Sequence, residues 1–238
     1  MAGVLGLLGG DEMHAACEGF DQALLAAAGE PAEVRVVAAA VVQNGSVPMA
    51  LALARRYFGR RLKRRVVEVP LHRRSDAFRD EVVEALRTSE MTYILGGDPG
   101  YLLDTLLDTP AWEALRAAYR AGGALAGSSA GAMVLCESIL LRSGNPSPAH
   151  RHGREALALL QGVVLIPHLN RFGRGWVESA RREAHARDIL GLDESTGVVH
   201  DGAWTAHGPG EVRLWRRGED PPLVRRAGDH LRWRAPRS

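Results

Sequence analysis

Over its first two-thirds the chain alternates short, continuously apolar runs with segments of helical spacing. Val4 to Leu8 is apolar and stops at Gly9-Gly10. Helical spacing runs from about Ala15 to Ala28, with Gly29 as a stop. Val34 to Ala39 reads as a second buried strand. Pro48 sits just inside a helix reaching about Phe58, capped by Gly59. Val66 to Val69 is a third strand, and Ser75 or Asp76 caps a helix reaching about Thr88. Thr92 to Leu95 is a fourth strand, ending at Gly96-Gly97. Thr109-Pro110 opens a helix through about Ala121, and Gly123 to Ala126 is a fifth strand. Buried apolar strands separated by helices predict an α/β fold, a mostly parallel sheet sandwiched by helices.

The pattern then changes. Ala132 to Cys136 reads as a buried helix. Arg142 to Arg154 is rich in Pro, Ser and His and reads as a loop. Val163 to Ile166 is a strand ending at Pro167-His168, followed by a polar helix from about Gly175 to Arg187. Val198–His200, Trp204–Ala206 and Val212–Trp215, separated by Asp-Gly and Gly-Pro-Gly, read as antiparallel strands joined by tight turns. They form a small antiparallel C-terminal extension, 198–238, of a single 1–238 domain.

Composition changes this picture little. The 238 residues carry a formal net charge of +2, so no strong field points to nucleic acid or membrane. The basic run Arg60–Arg65 reads as a solvated helix end leading into a strand. The N-terminal apolar stretch lacks a basic leader and is too short for a membrane span. Cys17 and Cys136 are too few for a disulfide framework, and the chain reads as cytoplasmic. His150-x-His152 is a weak metal signal, and no H-E-x-x-H or cysteine pair accompanies it.

The candidate chemistry is concentrated at Gly127-Ser128-Ser129-Ala130-Gly131. This G-x-S-x-G lies between a strand and a helix, where a turn lifts the serine hydroxyl out of the sheet. The Ala130 N–H then lies at a helix N-terminus, able to stabilise an oxyanion. In parallel α/β sheets the site lies at the carboxyl ends of the strands. Gly9-Gly10-Asp11, Gly96-Gly97-Asp98 and the elbow all fall there. The Gly96–Gly100 turn is able to supply a second oxyanion donor or to cradle phosphate, with Asp98 as a candidate substrate contact. A serine nucleophile needs a base. His168, at the end of a buried strand, is one candidate. His200 and His207 are the candidates if the chain is an α/β-hydrolase, whose base comes late.

Four segments in order resemble the dipeptidase E and cyanophycinase family of serine peptidases. They are Gly96-Gly97-Asp98 with Leu102-Leu103, the elbow from Gly127 to Ala132, Ile166-Pro167-His168 with Arg171, Gly173 and Arg174, and Leu192 to Gly197. The resemblance implies a class I glutamine amidotransferase-like fold, Ser129 as nucleophile and His168 as general base. It implies an oxyanion hole from the N–H groups of Ala130 and Gly97, and no metal or organic cofactor. Its members act on aspartyl dipeptides or on the arginine-bearing polymer cyanophycin. A small peptide is therefore the expected substrate, with Arg171 and Arg174 as candidate holders of an acidic group. Solvated helix-start residues are the alternative reading of that pair. Oligomeric state, a homodimer included, stays open.

One departure stands out. The family carries an acidic residue between serine and histidine to orient the imidazole, whereas Arg142 to Arg154 contains no Asp or Glu. Asn145 is the residue nearest that position and the expected third member. Glu155, Glu137 and Glu194 are the carboxylate alternatives. The missing acid also motivates a second reading, a weak or inactive relative that binds a ligand on the same scaffold.

Overall fold

The apolar run after Gly3 forms β1 (Leu5–Leu8), all four residues of which are buried. In the computed structural model, which describes residues 3–43, 45–142, 151–183 and 187–236, it is a central strand of the larger of two sheets. Helix α1 (Glu18–Ala27), β2 (Glu33–Val37), α2 (Val47–Ala54), β3 (Arg65–Val69), α3 (Asp80–Arg87) and β4 (Met91–Ile94) follow. Next come α4 (Pro99–Leu106), α5 (Pro110–Arg120), β5 (Ala124–Ser128) and α6 (Ala130–Val134). Helices α4 and α5 begin as their sequences dictate. Asp98 accepts from the Tyr101 N–H and Thr109 from the Trp112 N–H, each with proline just inside the helix. The helix entered at Val47 widens into π-helical turns over Arg55–Arg61.

Strands β1 to β5 pair in parallel in the order β1-β5-β4-β2-β3. Alternate residues enter different cores. Leu5 and Leu7 face one with α3 to α6, while Leu8 faces another with Phe20, Leu24 and Phe58. Burial on both faces is why these strands read as unbroken apolar runs. Register matters more for the site. Leu8 lies opposite Ser128, and Ile94 opposite Gly127. The carboxyl ends of β1, β4 and β5 therefore open side by side, bringing Gly9-Gly10, Gly96-Gly97 and the elbow together.

The second half departs from the sequence reading. The helix after the elbow ends at Val134, and Cys136 begins a strand, β6 (Cys136–Arg142). Part of the expected loop is β7 (Arg151–Glu155), antiparallel to β6. Strand β8 (Leu160–Ile166) pairs in parallel with β6 and with β9 (Asp188–Leu192). Helix α7 (Arg174–Glu183) lies between β8 and β9 in the chain. The tail divides between the sheets. Strands β10 (Gly197–His200), β11 (Trp204–His207) and β14 (His230–Leu231) extend the first sheet antiparallel from β1. Strands β12 (Val212–Trp215) and β13 (Leu223–Arg225) extend the second from β9. The antiparallel tail strands, β10 to β14, are thus divided between an eight-stranded and a six-stranded sheet. The α/β class with parallel central strands is as the pattern predicts. Among the described residues, no helix is long and apolar enough to cross a membrane.

The basic run is solvated and paired. Arg61, Arg64 and Arg65 meet Glu18, Glu30 and Glu33.

A buried acid on α1 carries a testable consequence. Asp21 is 1% exposed; its Oδ2 accepts from the Tyr57 hydroxyl at 2.7 Å, and its Oδ1 has no partner among the described residues. Burial pushes its pKa up to about 7, opposed by the Tyr57 hydrogen bond and reinforced by Glu12. The native state thus holds a proton that the unfolded chain releases near pH ~3.9. Stability from this group is present below pH ~4 and falls as pH rises to about 7, then stays level. Asp21→Asn removes that titration and keeps an acceptor for Tyr57. Its stability relative to wild type should rise by on the order of 1–3 kcal/mol between pH ~4.5 and ~8. Urea unfolding at several pH values checks this; a difference that does not change with pH would sink it.

Candidate active site

The elbow is built by close approach. An added Cβ on Gly127 would lie 2.4 Å from the Gly131 backbone, and one on Gly131 would lie 2.3 Å from the Ile94 carbonyl oxygen. Neither position admits a side chain without moving backbone. Between them Ser129 takes φ 48° and ψ −111°, a strained conformation for a residue with a side chain. Its N–H donates to the Leu8 carbonyl at 2.9 Å, and its own carbonyl accepts from the Met133 N–H at 2.9 Å. The hydroxyl therefore projects from a turn fixed at both ends.

His168 follows β8 by two residues and is held as firmly. It adopts a left-handed conformation, φ 50° and ψ 40°. Its N–H donates to the Gly9 carbonyl at 2.8 Å, and its carbonyl accepts from the N–H groups of Phe172 and Gly173. One ring face stacks on Phe172, with centroids 4.8 Å apart. The ring also lies close against Gly10, where an added Cβ would fall 2.2 Å from Cε1.

The two residues meet. His168 Nε2 lies 3.0 Å from Ser129 Oγ, and Nδ1 lies 2.9 Å from Glu194 Oε1. Glu194 follows β9, and its N–H donates to Asn170 Oδ1 at 3.0 Å. Arg171 Nη1 donates to the same Oε1 at 3.2 Å. Burial pushes the Glu194 carboxyl up, but the hydrogen bonds and charges of His168 and Arg171 outweigh it and hold the pKa below the ordinary glutamate value. The carboxylate therefore stays ionised beside the imidazole.

The other glutamates are occupied elsewhere. Glu137 and Glu155 both accept from Arg187, at 2.7 and 2.5 Å. Asn145 lies outside the described residues, and the second nitrogen of His168 faces Glu194 instead. The carboxylate that touches the imidazole comes from beyond the histidine in the chain. A carboxylate therefore stands beside His168, where the weakened-relative reading starts from a missing acid. His200 is buried in β10 against Trp204, their rings 4.9 Å apart, and neither it nor His207 lines the cleft beside Ser129.

That cleft has a volume of about 790 Å³. Gly97, Asp98, Ser129 and His168 are in its wall, with Arg142, Arg151, Phe172 and Trp176. Ala130 begins α6, whose leading N–H groups lack intrahelical acceptors. The Gly97 N–H donates to no group among the described residues. Asp98 both lines the cleft and caps α4. Arg171 and Arg174, expected as substrate contacts, do not line it; Arg171 is mostly exposed and bonds to Glu194. The arginines in the wall are Arg142 and Arg151, from the segment read as a loop. Arg151 is buried, with its guanidinium 4.2 Å over the Trp176 ring. The β6-β7 pairing that carries both residues was invisible in the local pattern.

Residues 7–205 match the model of Peptidase family S51. The chain is 31% identical over 141 residues to a cyanophycinase of Nostoc sp., covering 56% of this chain and 47% of that protein. A cyanophycinase of Trichormus variabilis gives the same identity and coverage. The match thus spans about half the length of these relatives. Among solved structures, a peptidase from an acI-B1 Actinobacterium superposes with a TM-score of 0.82 at 29% identity, covering 97% of both chains. A putative peptidase E protein from Listeria monocytogenes superposes with a TM-score of 0.61 at 17% identity, over 96% of this chain and 100% of that one. The last is a likeness of fold alone.

Proposed function

The chain belongs to peptidase family S51, and on that premise we propose that it is a serine-type peptidase cleaving a small peptide through an acyl-enzyme on Ser129. The observation that carries this reading is the continuous contact from Ser129 Oγ through His168 to Glu194. Ser129 Oγ attacks the scissile carbonyl while its proton passes to His168 Nε2. Glu194 fixes the tautomer with the proton on Nδ1 and stabilises the imidazolium. The N–H groups of Gly97 and Ala130 receive the oxyanion. The tetrahedral intermediate collapses as Nε2 returns the proton to the leaving amine. Water then attacks the ester by the same route and releases the acid.

The cleft supports an acidic peptide as substrate, in keeping with the aspartyl preference implied by the resemblance. Arg142 and Arg151 place positive charge on its wall, and the Arg151 guanidinium lies 4.2 Å from the centre of the Trp176 ring. A dipeptide-library screen with parallel fluorophosphonate labelling tests the reading. Hydrolysis should concentrate on peptides carrying Asp or Glu, and the label should fall on Ser129. Absence of both turnover and labelling would reject the peptidase.

Glu194→Gln probes the third member. The amide oxygen still accepts from Nδ1–H, but the charge that stabilises the imidazolium is gone. Turnover should fall roughly 10²–10⁴-fold with KM little changed. Wild-type kcat in this variant would remove Glu194 from the mechanism.

A further inference from the structure

We propose that Glu12 is a positioning residue that sets the width of the oxyanion hole by tying its two halves to one carboxylate; this rests on the peptidase reading above. Glu12 lies in the loop after β1, half-buried, and makes two contacts that the proton relay does not use. Its Oε1 accepts from the Gly96 N–H at 2.8 Å, and its Oε2 accepts from Ser128 Oγ at 2.7 Å. Gly96 is the residue before Gly97, and Ser128 the residue before Ser129. One side chain therefore bridges the turn that carries the first oxyanion donor and the elbow that carries the second. The three parts are in contact. A Cβ added to Gly96 would lie 3.0 Å from Glu12 Oε1 and 3.1 Å from Ser129 Cβ.

The two residues that donate to Glu12, Gly96 and Ser128, are buried, and Ser128 is 0% exposed. Removing the carboxylate leaves both without a partner, which the structure relieves by letting the turn shift or by admitting water. The turn and the elbow come from different strands, and a shift there changes the separation of the Gly97 and Ala130 N–H groups. A displacement of about 1 Å at a reacting centre costs on the order of 10² in rate. The ground state is bound by the rest of the cleft, so the loss falls on kcat. The role is one of hydrogen bonding, not of charge. Glutamine meets it: its carbonyl accepts from Gly96 N–H, while its amide donates to the Ser128 hydroxyl, which also accepts.

The test compares Glu12→Ala with Glu12→Gln against wild type, on the best dipeptide from the screen. Glu12→Ala should lose about 10–10²-fold in kcat with KM within about 3-fold. Its affinity for a peptide aldehyde should fall in step with kcat/KM. Glu12→Gln should stay within about 3-fold of wild type in both. Hydrogen exchange at the Gly96 amide should accelerate in Glu12→Ala and not in Glu12→Gln. Unchanged kcat in Glu12→Ala overturns the proposal, and so does a Glu12→Gln variant as impaired as Glu12→Ala. If Glu12→Ala does not fold, Ser128→Ala removes half of the tie and should lower kcat about 3–10-fold; unchanged turnover there overturns it. A wild-type protein inert to every peptide and to the label defeats the peptidase reading instead. The Gly96 exchange rate still decides on the tie in that case, and unchanged protection in Glu12→Ala overturns it.

Discussion

Ser129→Ala is expected to abolish fluorophosphonate labelling and to lower peptide hydrolysis by roughly 10⁴-fold or more. The basis is that Ser129 Oγ is the hydroxyl 3.0 Å from His168 Nε2 at the head of the cleft. Deleting it removes the acceptor of the acyl group, and binding with oxyanion stabilisation alone then remains. His168→Ala should cost a similar factor, and the double variant little more than either, because the two act as one unit. Losses that multiply would show that they act independently. The fold should survive in Ser129→Ala. The residue makes its structural hydrogen bonds through its backbone, and those to Leu8 and Met133 stay. A melting temperature within a few degrees of wild type separates lost chemistry from lost structure. Turnover near wild type in a folded Ser129→Ala would remove this residue as nucleophile.

How much of this was legible follows from the range of each signal. The elbow, the glycine turn after β4 and the histidine after β8 are local patterns, and each is complete within about six residues. Convergence of the first two was legible as well, because parallel strands share one carboxyl edge. Glu194 was legible only as one of three glutamates. It reaches His168 because β9 runs beside β8 in the second sheet, and no local pattern states which sheet a strand joins. Chain order favours the interval between Ser129 and His168, whereas the carboxylate in contact with His168 Nδ1 lies 26 residues after the histidine. Cys136–Arg142 failed for a different reason. A short buried run has the same appearance in helix and strand, and its pairing with β7 and β8 is non-local. With that strand unread, Arg142 and Arg151 give no sign in the sequence that they line the cleft beside Ser129. Glu12 had no signal at all. Its meaning lies in contacts 84 and 116 residues away.

Gly10→Ala is expected to be the most damaging change outside the hydroxyl–imidazole pair itself. Gly10 ends the first strand's turn at φ +117°, a conformation that residues with a side chain rarely adopt. Space is the sharper constraint. The added methyl carbon would fall 2.2 Å from Cε1, 2.6 Å from Nε2 and 2.8 Å from Nδ1 of His168. The ring cannot simply turn aside. Phe172 stacks against it, and its backbone is fixed through Gly9, Phe172 and Gly173. Relief therefore comes by moving the imidazole off Ser129 and Glu194, or by moving the Gly10 backbone, whose carbonyl accepts from the Ser195 N–H at 2.9 Å. Either way the proton relay is broken. Turnover should fall by roughly 10³-fold or more, since loss of the base costs nearly as much as loss of the nucleophile. Stability should fall by about 1–3 kcal/mol from the strained backbone and overpacking. A matched Gly29→Ala variant separates these effects. Gly29 also has positive φ, +76°, but an added Cβ there meets nothing within 4 Å. It should lose stability from backbone strain while keeping kcat. Gly10→Ala with wild-type kcat would mean that the ring does not need the space this glycine leaves, and that His168 is not held against Ser129 as described.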